Sequence, residues 1–90
     1  MYRIIASTKF KKDLKIILKR GYNPSLLDEI VTKLALGKQL DERYSDHPLK
    51  GNYSGCRECY VTPDWLLIYK IQDNNLVLYL TRTGTHSDLF

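Results

Sequence analysis

The chain has 90 residues and a mass of 10.5 kDa, which is room for one small domain, and its 43% hydrophobic content is too high for a disordered tail. Its longest uninterrupted apolar stretches have five residues, which excludes a membrane-spanning helix, and its N-terminal segment does not fit a secretory signal. We therefore expect a single domain over residues 1–90 that works in the cytoplasm.

The positive charge lies at the N-terminal end. The formal net charge is +4, yet residues 1–22 hold seven basic residues against one acid, Asp13, a local +6. Such clustering is typical of a surface that binds a polyanion, although a solvated helix face is the alternative interpretation. The residues expected to bind the phosphates of such a polyanion are Lys9, Lys11, Lys12, Lys15, Lys19 and Arg20.

The N-terminal part predicts one strand and two helices. Residues 2–6 are β-branched and aromatic enough for a strand. Ser7 or Thr8 can cap a helix that runs to about residue 20, and Asn23 with Pro24 begins a second helix. The apolar residues of both helices recur at helical spacing, so we expect a hairpin whose apolar stripes face a sheet.

The C-terminal part predicts three strands. Residues 38–55 follow neither a helical nor a strand period and are expected to form an ordered functional loop. Strands follow over about 56–61, 65–71 and 76–83, and Gly84 releases a short tail. The predicted fold is α+β: one largely antiparallel sheet of about four strands in the order β-α-α-β-β-β, with the helical hairpin on one face and the other face open for a site.

Cys56 and Cys59 form a C-x-x-C pair, a spacing that also occurs in zinc and redox sites. On a strand, however, a spacing of three places the two side chains on opposite faces and about 10 Å apart, which is too far for a disulfide. We interpret both as reduced structural cysteines and expect no metal and no cofactor.

Several residues at the predicted strand ends and loops can carry chemistry. The two histidines, His47 and His86, can move protons near neutral pH. Together with a cation and an aromatic platform, such a pair can cleave RNA without a metal: one group takes the ribose 2′-OH proton, another protonates the 5′ oxygen, and the cation stabilises the phosphorane charge. Further candidates are Glu58, Asp64 and Arg82 for the chemistry, and Lys50, Trp65 and Phe90 for RNA contacts.

Three motifs resemble those of a known family. Asp46–Gly51 reads D-H-P-L-K-G, Pro63–Tyr69 reads P-D-W-L-L-I-Y, and Arg82–Phe90 reads R-T-G-T-H-S-D-L-F. In this order they are similar to the motifs of YafQ-type toxins of the RelE/ParE superfamily. The resemblance implies a RelE-like microbial RNase fold and the toxin of a type II toxin–antitoxin pair. The implied activity is a ribosome-dependent, metal-independent endoribonuclease that cuts mRNA in the ribosomal A site, leaving a 2′,3′-cyclic phosphate and a 5′-hydroxyl.

The resemblance also implies roles for individual residues. His47 and His86 match the acid/base histidines of the family. Asp64 matches an acid that orients a histidine or transfers a proton. Arg82 matches the arginine that stabilises phosphate charge, and Phe90 matches the aromatic residue that packs against the mRNA.

Glu58 and Tyr60 lie two positions apart on a predicted strand, so both side chains face the same way. The resemblance places Glu58 where the family often has an active-site acid. Tyr60 stands where several relatives have a further histidine. Tyr60 is also a candidate catalytic residue, because a tyrosine can donate a hydrogen bond or a proton, although it is a poor base at neutral pH.

The implied partners are the ribosome, mRNA and a cognate antitoxin. The antitoxin is expected to be a ribbon-helix-helix DNA-binding protein that covers the basic face with an acidic or amphipathic segment. Two other functions use the same scaffold. A ParE-like toxin would inhibit DNA gyrase by binding and would not need the histidine pair, and a non-toxic RNA-binding module would leave growth unaffected when expressed alone.

Overall fold

A five-stranded mixed sheet forms the centre of the computed structural model, which describes all 90 residues and contains no helix that is long and apolar enough to cross a membrane. The strands are β1 (Arg3–Ala6), β2 (His47–Pro48), β3 (Arg57–Thr62), β4 (Trp65–Gln72) and β5 (Val77–Gly84). They lie in the order β1-β5-β4-β3-β2, with β1 parallel to β5 and every other neighbouring pair antiparallel.

Two long helices and one short one complete the fold. They are α1 (Thr8–Lys19), α2 (Pro24–Ala35) and α3 (His86–Leu89), and two 3-10 turns cover Glu42–Tyr44 and Gly51–Tyr53. The predicted caps are in place: the Ser7 hydroxyl accepts a hydrogen bond from the Phe10 amide at 2.9 Å, and the Asn23 side chain accepts one from the Ser25 amide at 3.0 Å. These bonds satisfy amides that have no partner within the helix.

The predicted α+β class and the helical hairpin on one face are confirmed. The sheet has five strands where about four were expected, because the predicted loop over 38–55 contains the two-residue strand β2. The expected tail after Gly84 instead forms α3. Both elements are too short to show a period in the sequence.

The helical hairpin covers one face of the sheet and forms the larger core. Side chains from α1, α2 and the strands meet there, and the fully buried ones include Ile17, Trp65, Leu67 and Leu78. Cys59 lies in this core, where burial raises the pKa of its thiol to about 12. A thiol in such surroundings is an inert packing group, which agrees with a structural role.

The opposite face is partly covered, although the sequence predicts that it is open. The segment from Leu49 to Cys56 and the helix α3 pack over it and bury Leu66, Ile68 and Leu89 in a second, smaller core. The partly buried residues around this core are Leu49, Tyr53, Cys56 and Tyr60. Cys56 and Cys59 therefore lie on opposite faces, as their spacing predicts, and both are free thiols.

Strand β1 pairs with β5 only as far as Leu80, and helix α1 covers the edge of β5 beyond that residue. The Ser7 hydroxyl donates a hydrogen bond to the Thr81 carbonyl at 2.7 Å, and Asp13 accepts one from the Thr83 amide at 3.2 Å. These bonds satisfy backbone groups that an open strand edge would leave exposed. They also bring Asp13 next to Arg82, which follows Thr81 in β5.

Candidate active site

One row of directly paired residues crosses the second face of the sheet. His47 on β2 pairs with Glu58 on β3, Glu58 with Ile68 on β4, and Ile68 with Arg82 on β5. Neighbouring strands are about 4.8 Å apart, so three steps separate the Cα atoms of His47 and Arg82 by about 14 Å. The two ends of the row therefore form separate polar clusters, with the second core between them.

At one end of the row, His47 contacts Glu58. Its Nε2 lies 3.0 Å from Oε2 of Glu58, and its Nδ1 lies 2.6 Å from the Ser45 carbonyl oxygen. A carbonyl oxygen only accepts, so Nδ1 carries the hydrogen of that contact and Nε2 faces the Glu58 carboxyl. The other oxygen of Glu58, Oε1, is buried without a hydrogen-bond partner.

At the other end of the row, Arg82 is held in a fixed orientation. Its Nε and Nη2 donate to the two carboxylate oxygens of Asp13 at 2.6 and 3.0 Å, and its Nη1 donates to the Tyr53 hydroxyl at 3.3 Å. The bond with Asp13 raises the pKa of the guanidinium above its usual value. A guanidinium has five N–H groups, so two remain free to bind a phosphate oxygen.

Two aromatic contacts connect α3 to this arginine. The His86 and Phe90 rings lie 5.0 Å apart between centroids with an interplanar angle of 32°, and Phe90 meets Tyr53 edge to face at 5.9 Å. His86, Phe90, Tyr53 and Arg82 therefore form a continuous cluster, which we call the arginine cluster. Phe90 remains 58% exposed, so part of its ring is available to a base.

A salt bridge fixes the position of α3. Arg20, at the end of α1, donates to both oxygens of Asp88 at 2.7 and 3.1 Å. Thr85 and Asp88 also form a reciprocal capping box at the start of α3. Arg20 and the Thr85 amide both hold the pKa of the Asp88 carboxyl below its usual range. Arg20 uses two of its five N–H groups in this bridge and its side chain remains 43% exposed, so its contact with RNA stays a prediction.

Asp64 lies in the turn between β3 and β4 and contacts neither histidine. Its two oxygens accept hydrogen bonds from the Tyr22 hydroxyl at 2.7 Å and the Thr62 hydroxyl at 2.8 Å. The bond from Tyr22, followed by the bond from Thr62, lowers the pKa of the Asp64 carboxyl. A carboxyl with a lowered pKa stays ionised at neutral pH, so Asp64 is a poor proton donor.

Trp65 lies in the larger core, so the prediction that it contacts RNA is wrong. Its side chain is fully buried, its Nε1 donates to the Thr83 hydroxyl at 2.8 Å, and its ring meets Tyr22 edge to face at 5.4 Å between centroids. A ring without exposed surface cannot stack on a base. The alternation along β4 points Trp65 towards the helices, whereas the next residue, Leu66, points to the second face.

The remaining predicted contacts are at the surface. The lysines of α1 are exposed and have no ion-pair partner, in contrast to Arg20: Lys9, Lys11, Lys12, Lys15 and Lys19. Lys50 is exposed just before the second 3-10 turn. Tyr60 is half-buried and packs on the second core, on the same face as Glu58.

Sequence reasoning missed Asp13 and Tyr53, the two residues that orient Arg82. The only signal for Asp13 is its isolation, because it is the one acid among the first 22 residues. Its partner is 69 positions away, and no local pattern predicts that pairing. Tyr53 lies in the irregular loop, where no period fixes the direction of a side chain.

Comparison with known proteins gives matches along the full length. The profile of a family of bacterial toxins of type II toxin–antitoxin systems, YafQ, matches residues 2–90. The mRNA interferase toxin YafQ of Escherichia coli K12 is 41% identical over 85 residues, which cover 93% of this chain and 90% of that protein. The crystal structure of the E. coli DinJ–YafQ complex matches with a TM-score of 0.91 and 40% identity over 100% of this chain and 99% of that chain.

A metal-bound toxin from Helicobacter pylori is also similar, with a TM-score of 0.93 and 47% identity over 100% of both chains. In the present chain, His, Cys, Asp and Glu side chains form no group of three or more that could hold a metal ion. The chemistry proposed below is derived from the side chains of this chain.

The fold and the full-length matches define a small bacterial toxin of a type II toxin–antitoxin system. The chain belongs to the YafQ family of type II toxin–antitoxin toxins. The two E. coli relatives are named mRNA interferases, which are endoribonucleases.

Proposed function

We propose that this protein is an mRNA interferase that cleaves mRNA on the ribosome, in the cytoplasm, and that a cognate antitoxin keeps it inactive. The arginine cluster carries the proposal, because it combines an oriented cation, a histidine and an exposed aromatic ring on the face that also holds His47 and Glu58. The E. coli relative supports both parts, since it is named an mRNA interferase and forms a complex with DinJ.

The proposed reaction is an attack of the ribose 2′-OH on the adjacent phosphate. One histidine takes the 2′-OH proton and the other protonates the departing 5′ oxygen; the products are a 2′,3′-cyclic phosphate and a 5′-hydroxyl. Because His47 and the arginine cluster are separate in the free protein, the reaction requires the bound mRNA to bring the two histidines to opposite sides of one phosphate. Nε2 of His47 lies 3.0 Å from the Glu58 carboxyl, a second group that can accept or donate a proton. The two free N–H groups of Arg82 stabilise the charge that develops on the phosphate oxygens.

The open shape of the site supports dependence on the ribosome. The arginine cluster is a surface on which Phe90 is 58% exposed, and the neighbouring hollow lined by Asp13, Arg82 and Asp88 has only about 150 Å³. Small-molecule pockets have roughly 300–1,000 Å³, so neither encloses a nucleotide at Arg82. The ribosome would hold the mRNA in place, and the exposed lysines of α1 would bind ribosomal or messenger RNA through their phosphates.

The test is to incubate the protein with ribosomes carrying a defined mRNA and to map the new 5′ ends. The proposal predicts cuts at a fixed position of the A-site codon, with cyclic phosphate ends. The same mRNA without ribosomes is the control and should remain intact. Cleavage of free mRNA at the same rate would contradict ribosome dependence. Gyrase-dependent DNA breaks with intact mRNA would support the ParE-like alternative.

A further inference from the structure

A second groove lies on the same face of the sheet as the arginine cluster. It has a volume of about 490 Å³, begins where the covering segment ends at Cys56, and is lined by Ile5, Lys70, Tyr79 and Thr81. None of its lining residues is acidic, and Lys70 is the one charged residue among them. The groove therefore suits an anionic ligand with an apolar part.

Lys70 and Tyr79 lie directly opposite each other on β4 and β5. Both side chains are half-exposed. Lys70 takes part in no ion pair, and the ring of Tyr79 has no aromatic neighbour. An unpaired ammonium next to a free ring is a combination that binds a phosphate and a stacked base in single-stranded RNA.

The groove is continuous with the candidate active site. Lys70 is two residues from Ile68, so the two positions share a face and lie about 6.6 Å apart along β4. Thr81, on the groove wall, directly precedes Arg82. The distance of about 6.6 Å along β4 is about one nucleotide step of an extended single strand. Because Arg82 pairs with Ile68, an RNA strand bound at Arg82 would reach the groove with its neighbouring nucleotide.

The start of α1 adds positive charge at the rim. Ser7, the N-cap of α1, also lines the groove, and the first turn after it carries the exposed lysines Lys9 and Lys11. These charges favour a polyanion over a neutral peptide at this position.

We propose that this groove binds the mRNA nucleotide next to the scissile phosphate, with Lys70 contacting its phosphate and Tyr79 stacking on its base. The inference rests on the proposed function, since it extends the path of the same mRNA beyond Arg82. It adds two residues that bind substrate without taking part in proton transfer.

The test measures binding and cleavage separately. Binding is measured on ribosomes programmed with an mRNA whose scissile nucleotide is 2′-deoxy and cannot be cut. Tyr79→Ala should weaken binding about tenfold through loss of stacking, whereas Tyr79→Phe keeps the ring and should bind like the wild type. Lys70→Gln should reduce the slope of log affinity against log salt concentration by about 1. Lys38→Gln, at an exposed position outside the groove, is the matched control.

The outcomes separate this inference from the proposed function. Absence of mRNA cleavage by the wild type would contradict the proposed function itself. Wild-type cleavage together with unchanged binding by Tyr79→Ala and Lys70→Gln would overturn the groove assignment alone. Loss of antitoxin binding by these variants, with mRNA binding intact, would assign the groove to the antitoxin and also overturn it.

Discussion

The two faces of the sheet differ in what their side chains do. The face under the helical hairpin is apolar and fully packed, and it buries even the tryptophan of the P-D-W motif. The other face has a core of three buried residues with charged groups at both ends of one cross-strand row. One face of the sheet therefore provides most of the stabilising core, and the other face holds the residues proposed for catalysis. The predictions below test this division.

The largest expected effect is on stability, at Trp65. Trp65→Ala should lower the free energy of unfolding by about 3–5 kcal/mol, because it leaves a large cavity in the main core. Trp65→Phe removes the hydrogen bond to Thr83 and part of the buried ring, and should cost about 1–3 kcal/mol. Denaturant unfolding measures both. The Phe variant should cleave mRNA within about twofold of the wild type; a folded Phe variant without activity would break the division between the faces.

The second effect is on catalysis, at Arg82. Replacing Arg82 by Ala removes the oriented cation and should lower the cleavage rate by about 100-fold or more. The single change also leaves Asp13 partly buried and unpaired, so the double variant Arg82→Ala/Asp13→Ala is the better protein to assay. The measurement is the single-turnover rate on programmed ribosomes. A folded double variant with near-normal rates would exclude Arg82 from phosphate stabilisation.

A smaller effect on cleavage is expected at Asp13, which positions Arg82. In Asp13→Asn the amide nitrogen faces an N–H group of the Arg82 guanidinium, so one of the two hydrogen bonds that orient the guanidinium is lost. The cleavage rate should therefore fall by about tenfold. Asp28→Asn on α2 makes the same charge change at an exposed position and should leave the rate unchanged. If Asp13→Asn kept full activity, the orientation of Arg82 by Asp13 would be irrelevant to cleavage.

Most of the first face could be predicted from the sequence, and little of the second. The helices and the four longer strands have periodic apolar residues or a cap such as Ser7, so their bounds follow within one or two residues. β2 and α3 are too short for any period. The pairing of Asp13 with Arg82 and the burial of Trp65 depend on how distant segments pack, which single-sequence patterns do not specify.

The smallest effect is a pH dependence of stability at the bridge between Arg20 and Asp88. The pKa of Asp88 is lowered in the folded chain, so the ionised carboxylate stabilises the fold fully at pH values above its unfolded pKa of about 3.9. This stabilisation is lost as the pH falls below that value. Asp88→Asn should lower the melting temperature by about 2–4 °C at pH 7 and by less at pH 3. Arg20→Gln should lower the melting temperature in the same way, by more at pH 7 than at pH 3. An equal deficit at both pH values would show that the carboxylate charge contributes nothing.

The central claim, that the second face cuts mRNA with its histidines, is tested most directly by one measurement. It compares the single-turnover cleavage rate of the wild type on programmed ribosomes with that of His47→Gln/His86→Gln. Both histidines are at least partly exposed, so the double variant should unfold within a few degrees of the wild type. We predict a fall of about 100- to 10,000-fold in the rate. A folded double variant that still cuts at the same codon position within a few-fold of the wild-type rate would contradict the account.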